Sequence, residues 1–486
     1  MDRDDSLTIS PKKKPEPINS VNLEKFTDFE KWLPEYLSAC EAGVVSPELI
    51  SRGLSSARER RAAMVLLMRE NPEQALRMMV SRSVRPHLPA EIQALLETPL
   101  DAVAPYYVSV ACGAEGRTER ILVIANQDHP VHTYGHRLAI GSKKNLSVHG
   151  FTLVGEVAMH QSPIRQAEAG EPGNPRPSAE FPVQVNSGGR FHSFRNRSEA
   201  RALEGIILAQ ERHPSPHLPA APSPDDAEAT WPTPDPSAAT NWTHGTKSVL
   251  MVRMAFANDP EDEEVMDLEL LRRQQAVTEE FLARTSYGKL NLTTTFVTNV
   301  LRLTNPASTY TNRFRQLIRD SADLVQNTVT NTNHFDLFTI VTTDHFSYGG
   351  MAGLSENYSQ LVQGSTDSRT ASHEYGHNLG LDHANYWRSD SASPIGQDSL
   401  RGTNSLAKDV RDGEIVEYGH YFSIMSAQNH SSMRDVVRPS FAAAEKVRVG
   451  WLTNGSWTNL TASTSDPIRL FALETGATNR LRGVRI

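Results

Sequence analysis

The stretch between residues 373 and 383 constrains the fold of this chain more than any other. Its sequence is His-Glu-Tyr-Gly-His-Asn-Leu-Gly-Leu-Asp-His. Residues four apart share one face of a helix, so His373 and His377 can offer nitrogen atoms to one metal ion. Gly380 tolerates the left-handed conformation that ends helices, which turns the chain back and brings His383 to the same point. The stretch therefore predicts a helix, a sharp turn and a three-histidine metal site.

Zinc is the metal that this pattern favours. Neutral imidazoles suit Zn²⁺, and a catalytic zinc site has three protein ligands and one position for water. Glu374 follows the first histidine, where it can act as general base on that water without being a ligand. We therefore expect one zinc ion per chain, held by His373, His377 and His383. A histidine-rich surface helix and a relic site without metal are the alternatives, but five fixed positions seldom arise by chance.

The motif is similar to that of the metzincins, a clan of zinc endopeptidases. The clan also has a methionine in a tight turn beneath the metal, and Met425 in Ser-Ile-Met-Ser is the candidate here. An ordinary core methionine is the alternative interpretation. Some metzincins have a further tyrosine ligand two residues past this methionine, but Ala427 stands at that position. The resemblance therefore implies three histidines and water as the ligands.

Two local features resemble gametolysin-type peptidases most closely, namely residues 373–384 and the segment from Phe441 to Leu452, which ends Val-Gly-Trp-Leu. This resemblance implies an endopeptidase that hydrolyses internal bonds of protein or peptide substrates through a zinc-bound water activated by Glu374. It also implies that the substrate lies extended along residues 347–358 and adds to the edge of a sheet. The alternative is a non-catalytic binding or adhesion protein whose zinc is structural, which would require a fourth protein ligand.

Composition limits the other function classes. The chain has 486 residues, which predicts two or three domains, and its net charge of -8 gives no indication of nucleic-acid binding. No apolar stretch approaches the ~20 residues of a transmembrane helix. The resemblance implies an extracellular or secreted protein, although the polar N-terminus lacks the apolar core of a secretory signal. Oligomeric state has no signature in the sequence.

The first half of the chain has no resemblance to the peptidase part. We expect a disordered N-terminus over 1–22, a helical module over 23–100, and a small β module with an irregular segment over 101–212. A part of this size before a peptidase suggests the propeptide of a zymogen that folds separately. The only cysteines are Cys40 and Cys112. Some metzincins are kept latent by a propeptide cysteine on the zinc, but for Cys112 the sequence favours a buried structural cysteine.

A proline-rich linker is predicted over 213–246, because eight prolines lie within 213–240. The metzincin-like catalytic domain is predicted over 247–455. Residues 456–486 are expected to begin a C-terminal β region that continues beyond Ile486.

Strands and helices alternate in the predicted catalytic domain. We expect an α+β or α/β fold: a twisted, mostly parallel sheet with an antiparallel edge strand, helices packed on it, and an irregular lower lobe. Leu290–Leu303 is predicted as one strand and Tyr310–Thr330 as one helix. Glu261–Glu264 are assigned to the N-terminus of a helix in preference to a calcium site. Outside this domain, Phe151–Ala158 is predicted as a single β run.

Overall fold

The computed structural model describes most of the chain. The described residues are 20–113, 117–212, 242–328, 335–389, 413–416, 423–426, 440–452 and 456–459, together with 470, 473, 481 and 483–485. The predicted disordered N-terminus therefore lies outside the described residues up to residue 19, as does the predicted linker from 213 to 241. Most of the predicted C-terminal β region also lies outside them.

Nine α-helices are described. They are α1 Ser20–Glu41, α2 Pro47–Glu70, α3 Pro72–Arg77, α4 Ala90–Gln93, α5 Arg197–Arg212, α6 Leu268–Thr285, α7 Phe314–Thr328, α8 Ser368–Asn378 and α9 Ala443–Arg448. The predicted start of α2 is confirmed, because the Ser46 side chain accepts a hydrogen bond from the Leu49 N–H and Pro47 takes the first helical position.

Eighteen β-strands are described. They are β1 Thr98–Cys112, β2 Thr118–Ile124, β3 Gln127–His132, β4 Lys143–Leu153, β5 Glu156–Met159, β6 Ile164–Gln166, β7 Val183–Ser187, β8 Arg190–Phe194, β9 Gly245–Ala255, β10 Leu290–Phe296, β11 Leu301–Arg302, β12 Leu337–Thr342, β13 Gly350–Gly353, β14 Tyr358–Val362, β15 Tyr386–Ser389, β16 Gly413–Val416, β17 Trp457–Asn459 and β18 Gly483–Arg485. Eleven of them form one sheet, in the order β10-β9-β12-β14-β13-β1-β2-β3-β5-β4, with β11 beside β9.

The part of this sheet formed by β9 to β14 is mixed. Strands β10, β9, β12 and β14 are parallel, and β13 is antiparallel to β14. Alternate residues of β9 enter two different cores, as a strand period of two requires. Val249 and Met251 pack with α6 and α8 on one face, whereas Leu250 and Val252 pack with α7 on the other. The predicted combination of a sheet with helices packed on it is therefore present, but the antiparallel strand β13 lies inside the sheet and not at its edge.

The two regions that the sequence separates share this sheet. The end of β1 pairs antiparallel with β13, so that Cys112 lies opposite Gly350 and Ser109 opposite Gly353. The beginning of β1 pairs with β4, and β2 covers the other side of its second half. The helical and β modules also share a core, which contains Met64 of α2 and Phe151 of β4. The predicted boundaries stay predictions, but β13 is not the free edge of a sheet.

Ion pairs and a helix cap add to this contact between the two regions. The Asp128 carboxylate lies 2.7 Å from Nη1 of Arg315 and 3.0 Å from Nη2 of Arg319, both on α7. The Glu119 side chain accepts a hydrogen bond at 3.1 Å from the backbone N–H of Phe314, the first residue of α7. Carboxylates at this end of a helix are favoured by its dipole.

Turns correct two of the predicted strands. Phe151–Ala158 is a hairpin, because Val154 and Gly155 both have positive φ (49° and 80°) and reverse the chain between β4 and β5. Leu290–Leu303 is interrupted between β10 and β11.

Helix starts correct two more predictions. The helix predicted from Tyr310 begins at Phe314, after a short 3₁₀ turn over Ala307–Tyr310. Asp267 caps α6 by accepting a hydrogen bond from the Leu270 N–H. The acids at 261–264 therefore lie before the helix and outside its first turn.

Candidate metal centre

Helix α8 positions the predicted ligands. Its N-terminus is capped by Asp367, whose Oδ1 accepts hydrogen bonds from the backbone N–H groups of Arg369 (2.9 Å) and Thr370 (2.8 Å). Every residue from 370 to 378 is buried, so the helix crosses the interior of the protein. It ends at Asn378, and Gly380 has a φ of +90°. A left-handed residue directly after the helix is what the sequence predicted.

The structure brings the three predicted histidines together. The ligand nitrogens of His373, His377 and His383 lie within 4.8 Å of one another, and all three side chains are buried. The two Nε2 atoms of His373 and His377 are 3.1 Å apart. The ring of His383 lies 5.4 Å from that of His373 and 4.9 Å from that of His377, measured between centroids. This buried group could hold a metal ion.

Carbonyl groups fix the orientation of two of these rings. The Ile424 carbonyl accepts a hydrogen bond from Nδ1 of His373 at 2.9 Å, and the Leu381 carbonyl accepts one from Nδ1 of His377 at 2.7 Å. A proton on Nδ1 leaves a lone pair on Nε2, which is the tautomer that a metal ligand requires. Burial, together with the neighbouring His377, lowers the pKa of His373 to about 3. Neutral rings are therefore favoured at this site.

Glu374 lies beside the histidines in a different environment. Its side chain is fully buried, and neither carboxyl oxygen has a hydrogen-bond partner among the described residues. Burial raises the pKa of Glu374 well above its ordinary value. A Cβ atom on Gly350 would lie 2.5 Å from Oε1 of Glu374, so only glycine at this position of β13 leaves room for the carboxyl group.

Met425 packs directly beneath α8. Its side chain is fully buried, and a Cβ atom on Gly376 would lie 2.3 Å from its Sδ atom. The Met425 carbonyl accepts a hydrogen bond from the Ala384 N–H at 2.8 Å, next to His383. A turn closes this segment, since the Ser426 N–H donates to the Ser423 carbonyl at 3.2 Å. Residues 417–422 and Ala427 lie outside the described residues.

Sequence reasoning missed the residue that joins α8 to the sheet. Nδ2 of Asn378 donates hydrogen bonds to the carbonyls of Gly353 (3.1 Å) and Tyr358 (2.9 Å), which end β13 and begin β14. Nε1 of Trp242 donates to the Asn378 carbonyl at 2.9 Å. The asparagine directly after His377 was visible in the motif, but its partners are 20 and 25 residues away in sequence. No local pattern identifies them.

Cys112 also lies at this site. Its Sγ atom lies within 4.8 Å of ligand atoms of both His373 and Glu374. The antiparallel pairing of β1 with β13 places it there, and the Gly349 N–H donates to the Cys112 carbonyl at 2.8 Å. The thiol is not a member of the three-histidine group. Cys40, in contrast, is exposed on α1.

Residues 282–384 match the model of the reprolysin-like metallo-peptidase family M12B. The match supports a metallopeptidase. The matched segment includes all three histidines and Glu374, and a peptidase of this family acts on protein substrates. The match does not extend to the gametolysin type, which stays a prediction.

No curated protein matches the chain. Among solved structures, a chain of a chaperone-substrate complex matches with 17% identity over 31% of this chain, at a TM-score of 0.22. The match spans only 26% of the length of that chain. So low a TM-score gives no information about the fold or the function. Within the part of the chain that the structure describes, no helix is both long and apolar enough to cross a membrane.

Proposed function

We propose that this protein is a zinc-dependent endopeptidase of the metzincin type, closest to the gametolysin type, which acts outside the cell. The proposal depends on one observation. The buried imidazoles of His373, His377 and His383 lie together, next to the Glu374 carboxyl group, which has no hydrogen-bond partner among the described residues. The match to a metallo-peptidase family supports the same reaction class.

The donor set fits a zinc ion held by His373, His377 and His383. With Nδ1 of His373 and His377 directed at carbonyls, their Nε2 lone pairs face each other at 3.1 Å. Two lone pairs at that distance repel each other unless a cation or a proton lies between them. Three imidazoles leave a fourth position open, as catalytic zinc sites do. When bound there, zinc would act as a Lewis acid on the scissile carbonyl and on the attacking water.

Glu374 is assigned as the general base. It takes a proton from the attacking water and later delivers that proton to the amine of the departing product. Its buried surroundings raise the proton affinity of the carboxylate, which suits this role. Strand β13 passes next to Glu374 at Gly350 and is the strand with which an extended substrate would pair.

The same strand indicates how the enzyme would be restrained. In the described arrangement β1 occupies the edge of β13, and Cys112 lies beside His373 and Glu374. A substrate strand and β1 need the same backbone groups of β13, so they exclude each other. We therefore assign the region before the linker as an inhibitory propeptide that must leave β13 before a protein substrate binds.

A protein-digestion assay tests the proposed activity. The full chain, loaded with zinc, is compared with the same chain cut within 213–240 and freed of its N-terminal part, using fluorescently labelled casein. We expect zinc-dependent hydrolysis by the cut chain from which the N-terminal part has been removed, and little hydrolysis by the full chain. If both forms retain one zinc ion and neither hydrolyses casein nor a library of unrelated peptides, the endopeptidase assignment is wrong. A structural or relic zinc in a binding protein would then explain the site.

A further inference from the structure

A cleft of about 380 Å³ lies in the N-terminal region, between α5 and the three-stranded sheet β6-β7-β8. Residues of β4 and of the loop that follows β5 close its inner end. Ligand-binding clefts commonly have volumes of roughly 300–1,000 Å³, so this one is large enough for a small organic molecule or a short chain end.

A buried imidazole lies at the inner end of the cleft. The His149 side chain is only 8% exposed, and its Nε2 atom has no hydrogen-bond partner among the described residues. Its ring stacks on that of His160, with 4.6 Å between the centroids. Burial, together with the neighbouring His160 and Arg165, lowers the pKa of His149 to about 3, so this ring is neutral.

Two guanidinium groups lie at the outer end. Arg197 and Arg201 are four residues apart, hence on one face of α5, and both line the cleft. Both are exposed, and neither has an ion-pair partner among the described residues. Unpaired guanidinium groups present planar donors that match a carboxylate.

The other charged groups of the cleft already have partners. The Arg165 guanidinium donates to the carboxylate of Asp101 at 2.9 and 2.6 Å and to that of Glu171 at 2.8 Å. The Glu204 carboxylate accepts a hydrogen bond from Oγ of Ser162 at 2.5 Å. Glu204 lies on α5 as well and keeps its negative charge, but Arg197 and Arg201 outnumber it, so the net charge available to a ligand is positive.

The walls between these two ends are apolar. They consist of Ile164 of β6, Val183 and Val185 of β7, and Ala200 of α5. Val183 and Val185 are two residues apart, so both side chains lie on the same face of the sheet. An occupant that fits all of these surfaces has an aliphatic body and one anionic group.

We propose that this cleft binds a carboxylate attached to an aliphatic body, with Arg197 and Arg201 holding the carboxylate and the apolar wall contacting the body. Two sources have this chemistry: a free aliphatic acid and the C-terminal residue of a peptide. The site is separate from the proposed peptidase centre, and neither proposal depends on the other.

Isothermal titration calorimetry on the full chain tests this site with three probes. N-acetyl-L-leucine has the required carboxylate, N-acetyl-L-leucinamide lacks its charge, and a hexapeptide ending in leucine presents the same group at a chain end. We expect the acid to bind at least about tenfold more tightly than the amide, because ion pairs with arginine discriminate strongly. Tighter binding of the hexapeptide than of the acid would identify a peptide C-terminus as the source, and binding of the acid alone would identify a free acid.

Variants locate the binding. The double variant R197Q/R201Q should weaken binding of the acid at least about tenfold, because it removes both unpaired guanidinium groups. Arg190→Gln is the matched control, since Arg190 is exposed on β8 and does not line the cleft. Equal affinities for acid and amide, unchanged binding by R197Q/R201Q, or no binding of either the acid or the hexapeptide would overturn the proposal.

Discussion

Glu374 and His383 lie in one buried group, but their replacement should have different consequences. Glu374 is assigned as a base that does not bind the metal, so Glu374→Gln should keep one zinc ion per chain and the fold. Hydrolysis of casein by the cut chain should fall by at least ~10²-fold, the low end for loss of a general base. Zinc is measured by atomic absorption in the same samples, and Glu280→Gln, an exposed change on α6, is the control. Near-normal turnover by the Glu374 variant would refute its assigned role.

His383→Ala should reduce zinc retention together with activity. The remaining pair, His373 and His377, offers two nitrogens where three are needed to hold the ion. His87→Ala serves as the control because His87 is exposed in the N-terminal region. Retention of one zinc ion and full activity by the His383 variant would show that the third ligand is another group.

Sequence reasoning at this scale succeeded where the relevant spacing is local. Four residues on a helix and one glycine after it are enough to predict that His373, His377 and His383 meet. Gly350 was missed as a site residue, and the sequence did not favour Cys112 as one, because each reaches the site through strand pairing with a distant segment. Such pairing depends on register, which a single strand sequence does not specify.

At the scale of secondary-structure elements, Gly376 determines how closely α8 lies on Met425. Gly376 was assigned no role from the sequence. A Cβ atom there would lie 2.3 Å from Sδ of Met425 and 3.0 Å from Cε1 of Phe441. Gly376→Ala should therefore overpack the contact and lower the free energy of unfolding by about 1–3 kcal/mol.

Urea denaturation of the two matched variants measures this effect. Gly205→Ala is the control, because Gly205 lies within α5 and a Cβ there would meet no atom within 4 Å. It should raise the free energy of unfolding by roughly 0.5–1 kcal/mol, through helix propensity alone. Equal effects of the two substitutions would mean that Met425 does not pack against α8 as described.

Element types were predicted better than element bounds. The helix predicted over Tyr310–Thr330 is present as α7, which buries one face against the sheet. The hairpin of β4 and β5 escaped prediction since Val154, a β-branched residue, adopts a positive φ that such residues seldom adopt. The antiparallel pairing of β4 with β5 overrides local preference there.

For the whole molecule, a cut in the linker should not release the N-terminal region by itself. The prolines of 213–240 predict cleavage there, but β1 pairs with β13 and Asp128 pairs with α7. After limited proteolysis we expect two fragments that elute together in size-exclusion chromatography and separate only in moderate urea. Mass spectrometry identifies the cut. Immediate separation in native buffer would mean that the shared sheet contributes little to holding the fragments together.

A charge reversal tests whether this contact restrains activity. Asp128→Lys places a cation next to Arg315 and Arg319, and the repulsion should raise casein hydrolysis by the uncut chain a few-fold. The double variant D128K/R315E restores an attractive pair and should return activity toward the original level. If the uncut Asp128→Lys variant hydrolyses casein no faster than the original chain, although the chain freed of its N-terminal part is active, the ion pair does not contribute to latency.

The pairing of β1 with β13 also imposes a delay during synthesis, because β1 is made long before its partner strand. Cys112 and Gly350 are partners across the sheet but about 240 residues apart in the chain. A ribosome that adds about 5–20 residues per second needs on the order of ten to fifty seconds to cover that distance. During this interval the C-terminal end of β1 has β2 on one side and unpaired backbone groups on the other. Unpaired strand edges favour association with other chains. Newly made chains should therefore need a chaperone, or slow growth at low temperature, until residue 353 has emerged.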